Sequence, residues 1–184
     1  EAILQQVGIA RGVACVPRCG DGSLALELAR QSEMLVLATD PDPANVAAAR
    51  QKAAETGLLG RRLYVERGDP ARLPFADHYV DLLVLEESEK DISAEAWAEI
   101  LRVLSPIRGR AVLADATIAK DELPGSDWWP AKLHGPNNNP VSEDEIFRFP
   151  PILQYRALPL YNASMGAALT IDGIHSETHA WLPQ

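Results

Sequence analysis

The stretch VACVPRCGDGSLALELAR, residues 13–30, decides the fold. It opens with the apolar run Val13–Val16, which ends at Pro17 and passes into a polar turn that holds two glycines. From Ser23 onward, leucine and alanine recur with helical spacing, and serine is a residue type that caps helices. A buried strand that turns through glycine directly into a helix is how a strand–helix–strand unit begins.

The same alternation of short apolar runs and helical stretches continues along the chain as far as residue 115. The predicted strands are apolar on both faces, which is typical of a parallel sheet with helices on either side. The sequence therefore predicts a doubly wound α/β domain with a mostly parallel sheet, covering residues 1–120. The further predicted strands are 34–38, 63–66, 81–85 and 110–115, and the further predicted helices are 43–56 and 93–104.

Composition limits the class of protein. The 184 residues carry 17 basic and 26 acidic side chains, a net charge of −9, and 47% of them are hydrophobic. This supply of apolar side chains is enough for a core, which excludes a chain disordered throughout. The acidic balance argues against a general nucleic-acid binder, because few cations are available to neutralise a phosphate backbone. No apolar run is long enough to cross a bilayer, so no membrane span is predicted.

Residues 121–184 differ in composition from the front of the chain. Eight of the 14 prolines and three of the four tryptophans follow Lys120. Prolines break regular structure and favour an extended path, and exposed aromatic side chains are costly in water. The sequence therefore predicts an extended, Pro/Trp-rich C-terminal arm. Its residues 127–184 are expected to dock either on the chain's own domain or on a partner protein.

Glycine or acidic residues follow each of the first four predicted strands, where doubly wound folds bind their ligands. They are Gly20 and Gly22, then Asp40, Asp69 and Glu86. Glycine lets a ligand approach the backbone, a helix N-terminus suits an anionic group, and an acid after the second strand suits ribose hydroxyls. Each also has a structural alternative, because such turns need glycine for their geometry and an aspartate can simply cap the next helix.

Four segments in the right order resemble class I S-adenosylmethionine-dependent methyltransferases. Val13–Ser23 resembles the first motif of that family, and Leu37–Asp40 its second strand. Gly68–Asp81, GDPARLPFADHYVD, is the best match and is similar to the segment from the third strand to the fourth. Glu99–Pro106 is similar to the helix that precedes the fifth strand. The resemblance implies a Rossmann-like methyltransferase fold.

The resemblance also implies a role for each strand-end residue. The two glycines would lie against the amino-acid end of S-adenosylmethionine, and Asp40 would hold its ribose hydroxyls. Asp69 would meet the adenine amine with Pro70 beside the ring, and Glu86 would stand on the substrate side. No catalytic base is marked and no metal site is predicted. The implied cofactor-binding set is Gly20, Asp21, Gly22, Asp40, Asp69, Pro70 and Glu86.

Departures from the family's pattern lead to two hypotheses. Val16 stands where the family has an acid, Arg18 replaces the first glycine of the motif, and 106–109 reads PIRG where the family has a Pro-Gly-Gly turn. An arginine at a point of close backbone approach would either fill the pocket or force the turn to change. The chain is therefore either an S-adenosylmethionine-dependent methyltransferase or a methyltransferase fold that has lost its chemistry and serves as an assembly module.

The back segment carries a second resemblance. Asp127–Ser142 is similar to a linker found in large exported bacterial proteins, where a methyltransferase-like domain precedes a β-propeller of the kind that binds pyrroloquinoline quinone. Phe149–Tyr155 and Ala163–Ile171 look like the approach to the first strands of that propeller. The resemblance implies that residues 121–184 are either the start of a β-propeller or a docking segment, and that the protein is exported.

Overall fold

The computed structural model describes residues 2–128, 130, 134, 136, 141–146, 168–171 and 174–177. The chain divides into two compact units, Glu1–Asp121 and Glu122–Gln184, and each is described by itself below. No helix within the described residues is both long and apolar enough to cross a membrane.

The front unit is built on one six-stranded sheet, whose strands lie in the order β3-β2-β1-β4-β5-β6. Neighbouring strands from β3 to β5 are parallel, and only β6 runs antiparallel to its neighbour. The predicted doubly wound, mostly parallel sheet is therefore confirmed. The strands are β1 Val13–Pro17, β2 Leu35–Asp40, β3 Leu63–Arg67, β4 Leu82–Val84, β5 Arg110–Val112 and β6 Thr117–Ala119.

Helices cover both faces of this sheet, because alternate residues of each strand point to opposite sides. Val36 and Ala38 of β2 belong to the apolar cluster that includes buried residues of α2 and α3. Cys15 of β1 and Leu83 of β4 belong to a second cluster, with Ile100 of α4. The helices are α1 Ala2–Val7, α2 Ser23–Gln31, α3 Pro43–Glu55 and α4 Ala94–Val103, with a short 3-10 helix at Glu89–Asp91.

Some elements differ from the sequence predictions. The predicted strand 110–115 ends at Val112, because Leu113 donates to the Ala116 carbonyl in a tight turn that leads into β6. Neither β6 nor the six-residue helix α1 was predicted, since both are too short to show a clear period. Ser23 was predicted to cap α2 but lies inside it; Gly22, at φ 78°, is the cap residue.

The described parts of the second unit include a hairpin and a hydrogen-bonded cluster. Strands β7 Ala168–Ile171 and β8 Ile174–Glu177 pair antiparallel. In the cluster, the Asp127 carboxylate accepts hydrogen bonds from Ser142 Oγ at 3.0 Å and from the Glu143 amide at 2.7 Å. His134 lies 2.9 Å from the same carboxylate, and together these contacts lower the Asp127 pKa to about 2. The cluster thus ties together segments that are distant in sequence.

Much of the predicted arm lies outside the described residues, so its extended path stays a prediction. The same holds for the propeller-like segments that the second resemblance named. The residues concerned are 129, 131–133, 135, 137–140, 147–167, 172–173 and 178–184.

The segment between β3 and β4, which the structure describes throughout, contains no helix. A charged cluster around Arg102 holds this segment in place. Arg102 of α4 makes two hydrogen bonds to the Glu99 carboxylate, at 2.8 and 2.7 Å. Its third nitrogen donates to the Phe75 carbonyl at 2.9 Å and to Asp77 at 2.6 Å. Glu99 also accepts from the Leu73 amide at 2.7 Å. The cluster therefore joins this segment to α4 at several points.

We predict that Arg102→Met lowers the free energy of unfolding by about 2 kcal/mol, because the Glu99 carboxylate and the carbonyls of Phe75 and Leu73 would lose the hydrogen bonds that Arg102 donates to them. The Arg102 side chain is only 33% exposed and that of Glu99 13%. The matched control is Arg11→Met, whose ion pair with Glu33 is 79% and 66% exposed and should contribute less than about 0.5 kcal/mol. Urea unfolding measures both, and equal effects would contradict the prediction.

The same cluster predicts an acid dependence of stability. Arg102 holds the pKa of Glu99 below its ordinary value, so the folded state favours the ionised carboxyl. The resulting stability is present above the unfolded pKa of about 4.3 and is lost as the pH falls through the lower, folded pKa. Urea midpoints measured from about pH 5 to pH 3 should therefore fall less steeply in Glu99→Gln than in the wild type. Identical slopes would rule out this contribution.

Candidate functional site

The carboxyl edge of the sheet carries the site. Strand order reverses at β1, with β2 and β3 on one side and β4 and β5 on the other. Ligands of such folds bind outside the carboxyl ends of the strands at this switch point, here between β1 and β4. The loops that follow β1, β2, β3 and β4 carry Gly20, Asp40, Asp69 and Glu86, so these predicted residues all lie at one edge.

Asp40, at the end of β2, is buried and hydrogen-bonded. Its side chain accepts from the Gly20 amide at 2.9 Å through Oδ2, and from the Asp42 amide at 2.9 Å and Asn45 Nδ2 at 3.1 Å through Oδ1. Asp40 is 3% exposed. Since a carboxylate offers about four acceptor sites, three are already used. Asp40 therefore joins the loop after β1 to the start of α3, whereas the helix-capping role that the sequence left open for it belongs to Asp42, the N-cap residue of α3. Its predicted contact with ribose hydroxyls stays a prediction.

The two glycines of the β1–α2 turn have different surroundings. Both lie in the left-handed region, with φ 54° for Gly20 and 78° for Gly22. A Cβ on Gly20 would meet no atom of the described residues within 4 Å. A Cβ on Gly22 would lie 2.5 Å from the Cβ of Ala49 in α3. Space for a ligand is therefore beside Gly20, whereas Gly22 lets the start of α2 pack closely against α3.

Asp21 is engaged with the helices. Its carboxylate accepts from the Ser23 amide at 3.0 Å and pairs with Lys52 of α3. This pairing lowers the Asp21 pKa to about 2. The side chain therefore stays ionised and accepts from the first amide of α2, and its predicted contact with a cofactor stays a prediction.

The loop after β3 offers one exposed acid and one buried ring. Asp69 is exposed; its Oδ1 accepts from the Ala71 amide at 2.9 Å, and within the described residues Oδ2 has no hydrogen-bond partner. Pro70 beside it is buried. These are the properties expected of a group that accepts from an exocyclic amine and of an apolar surface beside a base, and the contact with adenine stays a prediction.

Thr39 was not predicted from the sequence. Its Oγ1 is buried and has no hydrogen-bond partner within the described residues, and the residue is 1% exposed. A Cβ on Gly68 would lie 3.0 Å from the Thr39 Cβ, so glycine at 68 allows the loop after β3 to pass close over this side chain. A buried hydroxyl without a partner is a costly arrangement that a ligand or a water molecule can relieve.

Arg18 and Glu87 form an ion pair between the loops after β1 and β4. Arg18 adopts a left-handed backbone conformation, with φ 49°, at the position where the first glycine of the motif was expected. The turn thus keeps a glycine-like backbone, and the side chain extends to the neighbouring loop. Glu87 was not predicted as a site residue, because the sequence does not show which side chains of the loops after β1 and β4 contact each other. Glu86, which was predicted, is exposed in the same loop.

The two cysteines lie beside the site but are not reactive groups. Both are buried and free. Burial raises the pKa of each thiol, that of Cys19 to about 11. Thiols held protonated are poor nucleophiles and poor metal ligands. Among the described residues, no group of three or more His, Cys, Asp or Glu side chains could hold a metal ion.

Comparison with known families agrees with the fold. A family model described as a methyltransferase domain matches residues 18–107, just under half of the chain. The matched range starts in the loop after β1 and ends beyond α4, so it spans the loops of the candidate site. No curated protein sequence matches the chain.

Solved structures resemble the same region. A protein of Methanococcus maripaludis, named for its proposed S-adenosylmethionine-dependent methyltransferase activity, is 28% identical over 61% of this chain and 51% of its own, with a TM-score of 0.56. The cyclase SpnF is also 28% identical, over 61% of this chain and 42% of its own, with a TM-score of 0.55. Geranyl diphosphate C-methyltransferase from Streptomyces coelicolor A3(2), solved with S-adenosyl-L-homocysteine, is 19% identical over 61% and 43%, with a TM-score of 0.55.

The front unit has the Rossmann-like fold of class I methyltransferases. The chain spans about half of the first of these solved proteins and less than half of the other two. Because one of the similar proteins is a cyclase, the fold alone does not define the reaction.

We predict that Gly22→Ala destabilises the front unit by about 2–4 kcal/mol, because the new methyl group would collide with Ala49 and force a left-handed alanine. The matched control is Gly57→Ala, where φ is 69° but no atom in the part of the chain that the structure describes lies within 4 Å of the new Cβ. That variant should cost about 1 kcal/mol, the backbone strain alone. Thermal unfolding compares them, and equal losses would contradict the packing role of Gly22.

We predict that Asp40→Asn costs about 1–3 kcal/mol, because an amide nitrogen would then face N–H donors that now meet a carboxylate oxygen. Asp91→Asn, at an exposed acid of the 3-10 helix, is the control and should change stability by less than about 0.5 kcal/mol. Chemical denaturation gives both values. Unchanged stability in Asp40→Asn would show that the buried carboxylate does not hold the loops.

Proposed function

We propose that the front unit binds S-adenosylmethionine at the carboxyl edge of the sheet and is a methyltransferase domain with a substrate still to be identified. The observation that carries the proposal is the match of residues 18–107 to a methyltransferase family model, over a fold whose strand-end loops meet at one switch point. A structurally similar methyltransferase, solved with S-adenosyl-L-homocysteine, supports the choice of ligand.

Several described residues fit such a ligand. Open space lies beside the Gly20 backbone. Within the part of the chain that the structure describes, one Asp69 oxygen and the buried Thr39 hydroxyl have no hydrogen-bond partner, and the Asp69 oxygen suits the adenine amine. Asp40 fits less directly, because its carboxylate is already largely satisfied. Its role in this proposal is to hold the loop that carries Gly20, with one remaining acceptor site for a hydroxyl.

When bound, S-adenosylmethionine supplies a methyl group on a positively charged sulfur. The chain's own contribution is to bind and orient, because placing two reactants in line accounts for much of the rate of such a transfer. Exposed Glu86, after β4, faces solvent at the carboxyl edge, where a substrate would approach. No general base is assigned.

A second candidate function is an assembly module with the methyltransferase fold but without its chemistry. The burial of Asp40 favours it, since a ribose would have to compete with three existing hydrogen bonds. In this proposal, residues 127–184 provide the docking segment for a protein partner. Export, and a β-propeller that follows the domain, rest only on the resemblance of residues 127–142, 149–155 and 163–171 to the linker and first propeller strands of such proteins.

Calorimetric titration of the full chain with S-adenosyl-L-homocysteine separates the two candidates. We predict saturable binding that Asp69→Asn weakens by about tenfold or more. The reason is specific: the introduced asparagine would keep its oxygen for the Ala71 amide and turn an NH₂ group toward the adenine amine, so that two donors face each other. Glu55→Gln, an exposed acid at the end of α3, is the control and should bind like the wild type.

Two results would contradict the proposed enzyme. One is the absence of heat change at millimolar ligand with a correctly folded chain. The other is equal binding by the wild type and Asp69→Asn, which would place the nucleoside elsewhere. The first result, together with a stoichiometric protein partner that is lost on deletion of residues 127–184, would favour the assembly module.

A further inference from the structure

The ion pair of Arg18 and Glu87 spans the switch point of the sheet. Arg18 is the first residue after β1, and Glu87 lies in the loop after β4. These two strands are adjacent, and the order of the sheet reverses between them. A ligand in the crevice at this point therefore meets both side chains, one cationic and one anionic.

Both members of the pair are held by their backbones. On the β1 side, the Cys19 amide donates to the Thr39 carbonyl at 3.0 Å and the Gly20 amide to Asp40, so the left-handed conformation of Arg18 is imposed by its surroundings. A residue other than glycine costs about 1 kcal/mol or more in that conformation. Such strain persists where the surrounding structure fixes it, and it clusters at binding sites.

The β4 side is fixed by a separate set of hydrogen bonds. The Glu87 carbonyl accepts from the Ala114 amide at 3.0 Å. The Asp115 carboxylate accepts from Ser88 Oγ and from the Glu89 amide, the latter at 3.0 Å. The backbones of the two loops are thus preorganised, which lowers the entropic cost of binding a ligand through Arg18 and Glu87.

Because Arg18 and Glu87 are partly exposed, a ligand can reach both side chains and replace the ion pair that they form with each other. The Arg18 side chain is 52% exposed and that of Glu87 25%. An ion pair in such a position contributes little net stability, so a ligand that offers the same two charges can replace it at small cost. A guanidinium binds a carboxylate through two parallel hydrogen bonds, and a carboxylate accepts strongly from an ammonium group.

The charge balance selects the class of ligand. A simple anion on Arg18 would leave Glu87 without its partner, and a simple cation on Glu87 would leave Arg18 without its own. A zwitterion with an ammonium and a carboxylate on one carbon satisfies both. The α-amino acid group of S-adenosylmethionine and S-adenosyl-L-homocysteine is such a zwitterion.

We infer that Arg18 and Glu87 together bind the α-amino acid group of the nucleoside ligand, with Arg18 on the carboxylate and Glu87 on the ammonium. The inference rests on the proposed function, because it names how the crevice recognises one end of the same ligand. In this arrangement the arginine that replaces a glycine is a specificity residue, and the ion pair is the ligand-free state of the subsite.

The test compares two ligands that differ only in this group: S-adenosyl-L-homocysteine, and 5′-methylthioadenosine, which lacks the amino acid. Titration calorimetry uses the full-length wild type, Arg18→Gln and Glu87→Gln, with circular dichroism to check folding. We expect each variant to bind S-adenosyl-L-homocysteine about tenfold or more weakly, and 5′-methylthioadenosine within about twofold of the wild type. Arg11→Gln, in an exposed ion pair before β1, is the control and should change neither affinity.

Three outcomes would overturn the inference, and they differ in what else they exclude. If both variants bind S-adenosyl-L-homocysteine as well as or better than the wild type does, the pair is only a closing contact, while the proposed function stands. If both ligands weaken equally, the pair acts on the fold of the crevice and not on the amino acid group. If the wild type binds neither ligand, the inference and the proposed function fail together.

Discussion

The buried carboxylate of Asp40 is the interaction on which the geometry of the carboxyl edge depends. It accepts hydrogen bonds from the Gly20 amide, the Asp42 amide and Asn45, and so joins the loop after β1 to the start of α3. A buried carboxylate is stable only when hydrogen bonds replace its lost hydration, so the fold of both loops depends on these three contacts. The left-handed conformation of Arg18 and the open space beside Gly20 both follow from a loop held in this way.

The residues at the carboxyl edge fall into two groups: a structural part, whose side chains are engaged in contacts within the protein, and an available part, whose polar groups are exposed and could bind a ligand. The structural part consists of Asp40, Gly22 and Asp21, whose contacts with loops and helices fix the backbone around the crevice. Asp69 and the Arg18–Glu87 pair retain exposed polar groups that face the loops after β3, β1 and β4. A ligand that uses the available part would touch residues of which only some carry the family's usual identity.

The sequence predicted the sheet well because its strands are buried on both faces and read as unbroken apolar runs. It also predicted that the site residues lie at one edge, since parallel strands bring their carboxyl ends together. It could not predict that the Asp40 side chain turns inward, because the Gly20 amide that it accepts from is twenty residues away. For the same reason it missed Glu87 as the partner of Arg18, and the buried hydroxyl of Thr39.

The most direct test of the account is the map of amide chemical shifts in the ¹⁵N-labelled full chain during titration with S-adenosyl-L-homocysteine. If the carboxyl edge is the binding crevice, the shifts will concentrate in the loops 18–22, 68–72 and 85–89 and will leave 57–62, at the opposite edge of the sheet, unchanged. Shifts centred on 57–62, or none at saturating ligand, would contradict a nucleoside site at this edge.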